Sequence, residues 1–132
     1  MKIIVIGGTG TIGQAVVAEL GARHDVVTAG SQSGDFQVDL TDSDSIVALY
    51  DAVGEFDAVV CCAGKVHFGP LDEMTEAEYR IGVDHKLIGQ VSLVLLGQSR
   101  IQAGGVFTLT SGLLNMDPIR YGSGAGMVNV AV

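Results

Sequence analysis

Residues 2–13 read Lys-Ile-Ile-Val-Ile-Gly-Gly-Thr-Gly-Thr-Ile-Gly, and this stretch decides the fold. An apolar run leads straight into a glycine-rich turn, and residues 11–20 then carry apolar side chains at a helical spacing. The order is therefore strand, turn, helix. Gly7, Gly10 and Gly13 form the pattern G-x-x-G-x-x-G, which permits a tight turn, a close approach of the backbone to a pyrophosphate and close packing of the helix on the sheet.

The turn predicts a phosphate site at the positive end of the helix, on free backbone N–H groups. The alternative is a turn that keeps its glycines for packing alone, because a glycine pattern by itself is weak evidence. The apolar strand before the turn and the amphipathic helix after it favour nucleotide binding. The residues expected to contact the ligand here are Gly7, Thr9, Gly10, Thr11, Ile12 and Gly13.

Composition limits the class of protein. The chain has 132 residues, of which 48% are hydrophobic and 17% charged, which predicts one domain with a single core. A net charge of -8 argues against binding to nucleic-acid phosphates or to anionic membranes. No apolar run approaches the roughly 18 residues of a membrane helix, and residues 1–6 are too short for a secretory signal. We therefore expect a cytoplasmic protein.

The two cysteines, Cys61 and Cys62, are adjacent. Neighbouring cysteines make a poor structural disulfide because the bridge would strain the chain, and no second pair supplies the spacing of a metal site. We interpret both as small apolar side chains and predict no metal site.

Predicted strands and helices alternate along the rest of the chain. Strands are predicted at 25–29, 36–40, 57–62 and 106–110. Helices are predicted to start within residues 41–44 and end at Gly54, and to cover 75–102 and 124–132. This alternation predicts a doubly wound parallel sheet in three layers, α/β/α. Ligands of such sheets bind outside the carboxyl ends of the strands, where the glycine turn, the loop at Ser31, Asp39, residues 62–64 and Ser111 all fall.

Together these motifs resemble the short-chain dehydrogenase/reductase family, over essentially the whole chain. Gly7, Gly10 and Gly13 match a variant of its glycine motif, and Thr110-Ser111-Gly112 resembles the strand end that carries its catalytic serine. The resemblance implies a Rossmann-like fold. It also implies that Asp39-Leu40 contacts the adenine ring and that Cys62, Ala63 and Gly64, where the family has Asn-Ala-Gly, line the cofactor site.

The family's catalytic residues are Asn, Ser, Tyr and Lys, the last two as Tyr-x-x-x-Lys. Matching the helices places Lys86 at the asparagine position, Ala125 at the tyrosine position and Asn129 at the lysine position, so only Ser111 is unchanged. Lysine and asparagine would then have exchanged places, which keeps an ammonium and an amide in the site. The plain alternative for Lys86 is a solvated lysine on a helix face.

Other polar candidates have plainer interpretations as well. Tyr121 is a candidate proton donor, although no lysine follows it at the family's spacing, and the alternative is a loop aromatic. His67 and His85 have no evident partner and are interpreted as surface or loop residues. Acids near the helix start at Thr75 are interpreted as capping and solubilising groups; they are Asp72, Glu73, Glu76 and Glu78.

The choice of cofactor depends on the end of the second strand. An acid there would bind the ribose hydroxyls of NAD and repel the extra phosphate of NADP. Residues 29–33 read Ala-Gly-Ser-Gln-Ser, with no acid before Asp35, so Ser31 and Ser33 are predicted cofactor contacts. NADP is preferred, and NAD stays open because no arginine is present either.

The resemblance also bears on activity and assembly. Family members continue through two more strands, so residues 1–132 are predicted to form a single NAD(P)-binding domain that is incomplete at its C-terminal end. The long helix with Leu87, Val91 and Leu95 resembles the family's dimer-forming helix and predicts a homo-oligomer. The implied function is hydride transfer between NADP(H) and a small carbonyl or alcohol. The alternatives are a dinucleotide-binding or regulatory protein without turnover, and a fragment that folds only within an oligomer.

Overall fold

The structure, a computed structural model, describes residues 1–132. Five parallel strands form one sheet in the order β3-β2-β1-β4-β5. The strands are β1 (Lys2–Ile6), β2 (Asp25–Gly30), β3 (Phe36–Gln37), β4 (Phe56–Cys61) and β5 (Ile101–Thr108). The helices are α1 (Thr11–Gly21), α2 (Ser43–Val53), α3 (Glu76–Gly82), α4 (Gly89–Gly97) and α5 (Ser123–Ala131), and a π-helical segment, Val83–Ile88, joins α3 to α4.

Helices cover both faces of the sheet, which confirms the predicted three-layer, doubly wound architecture. On one face Ile4, Ile6 and Val59 pack against α2 and α4, and on the other Ile3 and Val5 pack against α1. Residues Ile3–Ile6 are all buried, as expected for a central parallel strand with helices on both sides.

The predicted helix starts and stops are confirmed at α2. The Asp42 side chain accepts a hydrogen bond from the backbone N–H of Asp44, and so caps the first turn. Gly54 ends the helix with a φ of 73°, a left-handed conformation that favours glycine. The strand that follows, β4, leads directly to residues 62–64 at the ligand-binding edge.

The prediction of one helix over 75–102 is wrong at its end and in its interior. The capping box of Thr75 and Glu78 starts α3 as predicted, but α4 ends at Gly97 and β5 begins at Ile101 instead of residue 106. Gly104 and Gly105 do not end a helix. They lie inside β5 where its register with β4 shifts, and Gly104 adopts a φ of 82°, the conformation that such a bulge requires.

The third strand is also shorter than predicted, covering Phe36–Gln37 instead of 36–40. The chain leaves the sheet because the Asp39 carboxylate accepts hydrogen bonds from the backbone N–H and the hydroxyl of Thr41, at 2.9 and 2.8 Å. This turn brings Asp39 to the edge of the sheet where the carboxyl ends of the strands lie.

Two further features complete the fold. The thiols of Cys61 and Cys62 are free, and Cys61 is fully buried, which raises its pKa to about 11. The plain interpretation of these cysteines as small apolar side chains is thus confirmed for Cys61 and holds in part for Cys62, which is half-buried. None of the helices combines the length and the apolar character that crossing a membrane would need.

Candidate functional site

The glycine turn joins β1 to α1, and its glycines have different structural roles. A Cβ on Gly13 would collide with the carbonyl oxygen of Gly7, and Gly7 itself has a φ of 77°. These two glycines are therefore required by the turn itself. Gly10 is different, because a Cβ there would meet only the Gly7 oxygen, at 3.3 Å, and would otherwise point into open space. Gly10 thus lies on the open rim of the turn, where a ligand can approach the backbone.

The first turn of α1 is open to an anion. Gly10 is the N-cap residue, no side chain caps the helix, and no acidic residue lies in its first turn. The first N–H groups of a helix have no partner within the helix, and the dipole favours negative charge there. Thr9, Thr11 and Ile12 are exposed around this end, with Ile12 59% exposed.

The loop after β2 reaches across to the glycine turn. The hydroxyls of Thr9 and Ser33 lie 2.7 Å apart, which joins the two segments. Asp35, the first acid after β2, turns away from the open edge. Its carboxylate accepts from the backbone N–H and from the hydroxyl of Thr28, both at 2.8 Å, and these bonds lower its pKa. Ser31, Gln32 and Ser33 are all exposed in this loop.

A groove of about 410 Å³ runs along the carboxyl ends of the central strands. Five of the predicted cofactor residues line it, namely Ser31, Asp39, Leu40, Ala63 and Gly64. Cys62 does not line it. Five residues that sequence reasoning did not place there complete the wall, namely Ile6, Gly30, Val38, Lys65 and His85. His85 lies near Asp39, whose pKa is lowered mainly by the hydrogen bonds from Thr41 and slightly by the charge of His85.

Three of the four predicted catalytic residues meet at one point. The ammonium of Lys86 donates to Oδ1 of Asn129 at 2.6 Å and to the carbonyl oxygen of Ser111 at 3.2 Å. The hydroxyl of Ser111 donates to the carbonyl oxygen of Asn129 at 2.6 Å. These residues come from the π-helical segment, from the loop after β5 and from α5. We call this group the Lys86 cluster.

The surroundings of the cluster shape its electrostatics. Burial lowers the pKa of Lys86, because desolvation disfavours the charged form, while the nearby Cys61 has a smaller opposing effect. Gly64 lies against Lys86, since a Cβ at Gly64 would be 2.9 Å from Cγ of the lysine. The Lys86 cluster therefore adjoins the groove at Gly64.

The structure does not bring Tyr121 into the Lys86 cluster. Its phenol makes no hydrogen bond with any member, its backbone has a φ of 66°, and the Arg120 guanidinium lies 4.7 Å from its ring centroid. It lines a separate apolar hollow of about 230 Å³ between two loops at the same edge of the sheet. The position that matches the family's tyrosine is held by Ala125, which is buried.

Sequence reasoning also missed a partner for His67 and the role of Gln90. His67 Nε2 lies 3.3 Å from Glu78 Oε1, and Glu78 completes the capping box with Thr75, which confirms its predicted capping role. Gln90 is fully buried and hydrogen-bonds to the backbone of Lys86 and of Thr110. Its type and spacing gave no signal, because a neutral amide in a helix is typical of a surface.

A doubly wound sheet with an open, glycine-rich first turn and a groove at its carboxyl edge defines a Rossmann-type dinucleotide-binding domain. The model of the NAD dependent epimerase/dehydratase family matches residues 3–100, and the chain belongs to this family. The resemblance to short-chain dehydrogenases is confirmed by the solved structures described below. A comparison with curated proteins gave no significant match.

Several solved structures share the fold. The protein lin1944 from Listeria innocua is 45% identical over 99% of this chain, with a TM-score of 0.96. A small-chain dehydrogenase in complex with NADPH is 26% identical over 99% of the chain, with a TM-score of 0.89. A short-chain type dehydrogenase/reductase from Mycobacterium ulcerans, 23% identical with a TM-score of 0.85, is similar in fold. The chain covers 66%, 59% and 57% of these three proteins respectively.

Proposed function

We propose that this chain binds NADP(H) and supports hydride transfer to or from a small carbonyl or alcohol compound. The observation that carries the proposal is the continuity of the site, in which the Lys86 cluster adjoins the groove through the contact of Gly64 with Lys86. The NADPH complex of a similar dehydrogenase supports the choice of cofactor. So does the loop after β2, in which Ser31, Gln32 and Ser33 precede the first acid and that acid, Asp35, is bonded to Thr28, so no carboxylate directly follows the strand.

The residues present fit a dinucleotide. The open backbone at Gly10 and the uncapped first turn of α1 suit the pyrophosphate. Asp39 and Leu40 suit the adenine, and the hydroxyls of Ser31 and Ser33 suit the phosphorylated ribose. The reduced nicotinamide supplies the hydride when the cofactor is bound. The other residues proposed to contact the dinucleotide are Gly7, Thr9, Thr11, Ile12, Gly13, Cys62, Ala63 and Gly64.

Lys86 is the polar centre of the proposed chemistry. An ammonium has three N–H donors, and two of them point to Asn129 and Ser111. The third is free for a hydroxyl or carbonyl of a ligand. Ser111 donates its own proton to Asn129 and keeps its lone pairs available as acceptors. The cluster can thus orient a polar group and favour developing negative charge beside it.

A second function is favoured by one specific observation. The tyrosine position of the family is occupied by buried Ala125, and the Lys86 cluster contains no phenol. A dinucleotide-binding or regulatory protein without turnover would need the groove but no proton donor. Tyr121 stays a candidate donor only if its loop moves toward the cluster when a ligand binds.

We further propose that copies of the chain associate through the helix containing α4. The apolar side chains of Ile88, Val91 and Leu95 are 49, 38 and 59% exposed. Their spacing of three and four residues places them on one side of the helix. Burying such a stripe against a second copy would remove it from water. We expect the protein to act in the cytoplasm, whose reducing conditions suit its free thiols.

The proposed function is tested by calorimetric titration with NADPH and with NADH, followed by an assay of NADPH oxidation with a panel of small carbonyl compounds. We expect NADPH to bind in the micromolar range, about -8 kcal/mol, and NADH to bind more weakly. Turnover would support the oxidoreductase, and binding without turnover would support the second function. Failure of both cofactors to bind would contradict both.

A matched pair of glycine variants shows whether binding occurs at the glycine turn. Gly10→Ala adds a methyl group on the open rim of the turn, where its one close contact is the Gly7 carbonyl oxygen at 3.3 Å, which a small shift relieves, and where it would obstruct the approach of a phosphate. Gly21→Ala, at the other end of α1, adds the same methyl group where no atom lies within 4 Å. We expect the first variant to lose affinity for NADPH and the second to bind as the unmodified protein does.

A further inference from the structure

We propose that Gln90 is a positioning residue that fixes the positions of Lys86 and Ser111 relative to each other. The inference rests on the proposed function, because it concerns the same site. Gln90 lies one turn after Lys86 and its side chain has no exposure to solvent. It touches neither the groove nor the ammonium of Lys86. Its contacts are with the backbone on either side of the site.

All polar atoms of the Gln90 side chain are used. Its Nε2 donates to the carbonyl oxygens of Lys86 and of Thr110, both at 3.0 Å. Its Oε1 accepts from the backbone N–H of Thr110 at 2.8 Å. One amide group therefore binds the backbone of the residue that carries the ammonium and the backbone of the residue just before Ser111.

The amide of Gln90 takes the place of a neighbouring strand. β5 ends at Thr108, so the N–H and C=O groups of Thr110 lie beyond the sheet. The side chain pairs with both groups, as the backbone of an adjacent strand would. The Thr110 hydroxyl also donates to the carbonyl oxygen of Cys61. The chain that leads to Ser111 is thus fixed on both sides before it enters its loop.

The helix around Lys86 is widened, which makes such an anchor useful. The backbone N–H of Gly89 bonds to the carbonyl oxygen of Asp84, five residues earlier, as in a π-helix. Isolated π-turns occur often at functional sites. The bond from Gln90 to the Lys86 carbonyl ties this widened turn to the end of β5. The short contacts of the Lys86 ammonium depend on that spacing.

Burial of an amide is costly unless every polar atom has a partner. An apolar side chain of similar size would fill the same volume but would leave the N–H and C=O groups of Thr110 without these partners. The complete set of bonds at Gln90 therefore indicates a role in alignment. A displacement of about 1 Å in a reacting group can reduce a rate by about a hundredfold. The rate of the proposed reaction therefore depends on this alignment.

The test compares Gln90→Met with Gln98→Met. The first keeps the size of the side chain and removes the three bonds. The second makes the same change at an exposed glutamine near the end of the same helix, whose Nε2 bonds only to the nearby Leu95 carbonyl. Side-chain NMR of ¹³C-labelled lysine follows the titration of Lys86, which is one of three lysines in the chain. Thermal unfolding confirms that each variant folds.

We expect the pKa of Lys86, which burial lowers in the unmodified protein, to rise toward the ordinary value of lysine in Gln90→Met, and NADPH binding to weaken at least about tenfold. Gln98→Met should change neither. An unchanged Lys86 titration in folded Gln90→Met would overturn the inference. The titration needs no cofactor, so failure of NADPH to bind the unmodified protein would count against the proposed function alone.

A measurement on the unmodified protein covers the case in which Gln90→Met fails to fold. The backbone N–H of Thr110 lies beyond β5 and is bonded only to Gln90. Hydrogen exchange at this amide should be slow, as in the strand itself. Exchange as fast as that of the exposed loop residues that follow would overturn the inference.

Discussion

The ammonium of Lys86 lies 2.6 Å from the side-chain oxygen of Asn129, although the two residues are separated by 43 positions in the chain. In the motif of the short-chain dehydrogenases, the lysine belongs on the last helix and the asparagine on the long one. Matching the helices to that motif places each residue type at the other's position, and we propose that the two have exchanged places. Their contact keeps an ammonium beside an amide without the family's motif.

The loop after β2 should control the choice between NADP and NAD. Ser31→Asp places a carboxylate beside the groove, at the end of β2. It should weaken NADPH binding by charge repulsion and strengthen NADH binding by accepting from the ribose hydroxyls. Calorimetric titration with both cofactors measures the change. Ser99→Asp, in the exposed turn after α4, is the control for net charge, and an equal effect of the two variants would contradict this assignment.

The half-buried Lys86 should affect how the stability of the protein depends on pH. Desolvation lowers the pKa of Lys86 in the folded state below 10.5, its ordinary value. Between these two pKa values the unfolded chain binds more protons than the folded one, so stability rises with pH. The free energy of unfolding, measured with urea, should therefore increase in the unmodified protein relative to Lys86→Met as the pH rises toward 10.5. A constant difference would mean that Lys86 is solvated.

A third prediction concerns the core that supports the site. The hydroxyl of buried Tyr50 donates to the carbonyl oxygen of Leu93 in α4 at 2.8 Å, and its ring stacks on Phe56. Tyr50→Phe keeps the stacking and removes the bond, which should lower the free energy of unfolding by about 1 kcal/mol. Urea denaturation measures this, and NADPH affinity should stay unchanged. A large loss of affinity would show that α4 transmits this contact to the site.

Much of the site could be predicted because it depends on local patterns. The strand, glycine turn and helix of residues 2–21 carry their own signals, and the match to the family motif predicts that Lys86, Ser111 and Asn129 lie near one another, as the structure has them. The length of the helix after Thr75 could not be predicted in this way. Periodicity does not distinguish a π-turn from an α-turn, and Gly104-Gly105 is as typical of a helix end as of a bulge in a strand.

Gln90 and His85 could not be predicted because their roles depend on distant parts of the chain. Gln90 pairs with Thr110, which is 20 residues further on, and an amide has no charge or periodicity that would reveal this. His85 lies in the π-helical segment and lines the groove beside Asp39, which is on a distant part of the chain. In both cases the position of the side chain follows from tertiary packing.

A reciprocal substitution at Lys86 and Asn129 tests most directly whether lysine and asparagine have exchanged places within one site. NADPH is titrated into Lys86→Asn, Asn129→Lys and the double variant that carries both changes. We predict that each single variant binds at least about tenfold more weakly and that the double variant recovers most of the affinity, because coupled residues are not additive. Single variants that bind normally, or a double variant as weak as the two losses combined, would contradict the account.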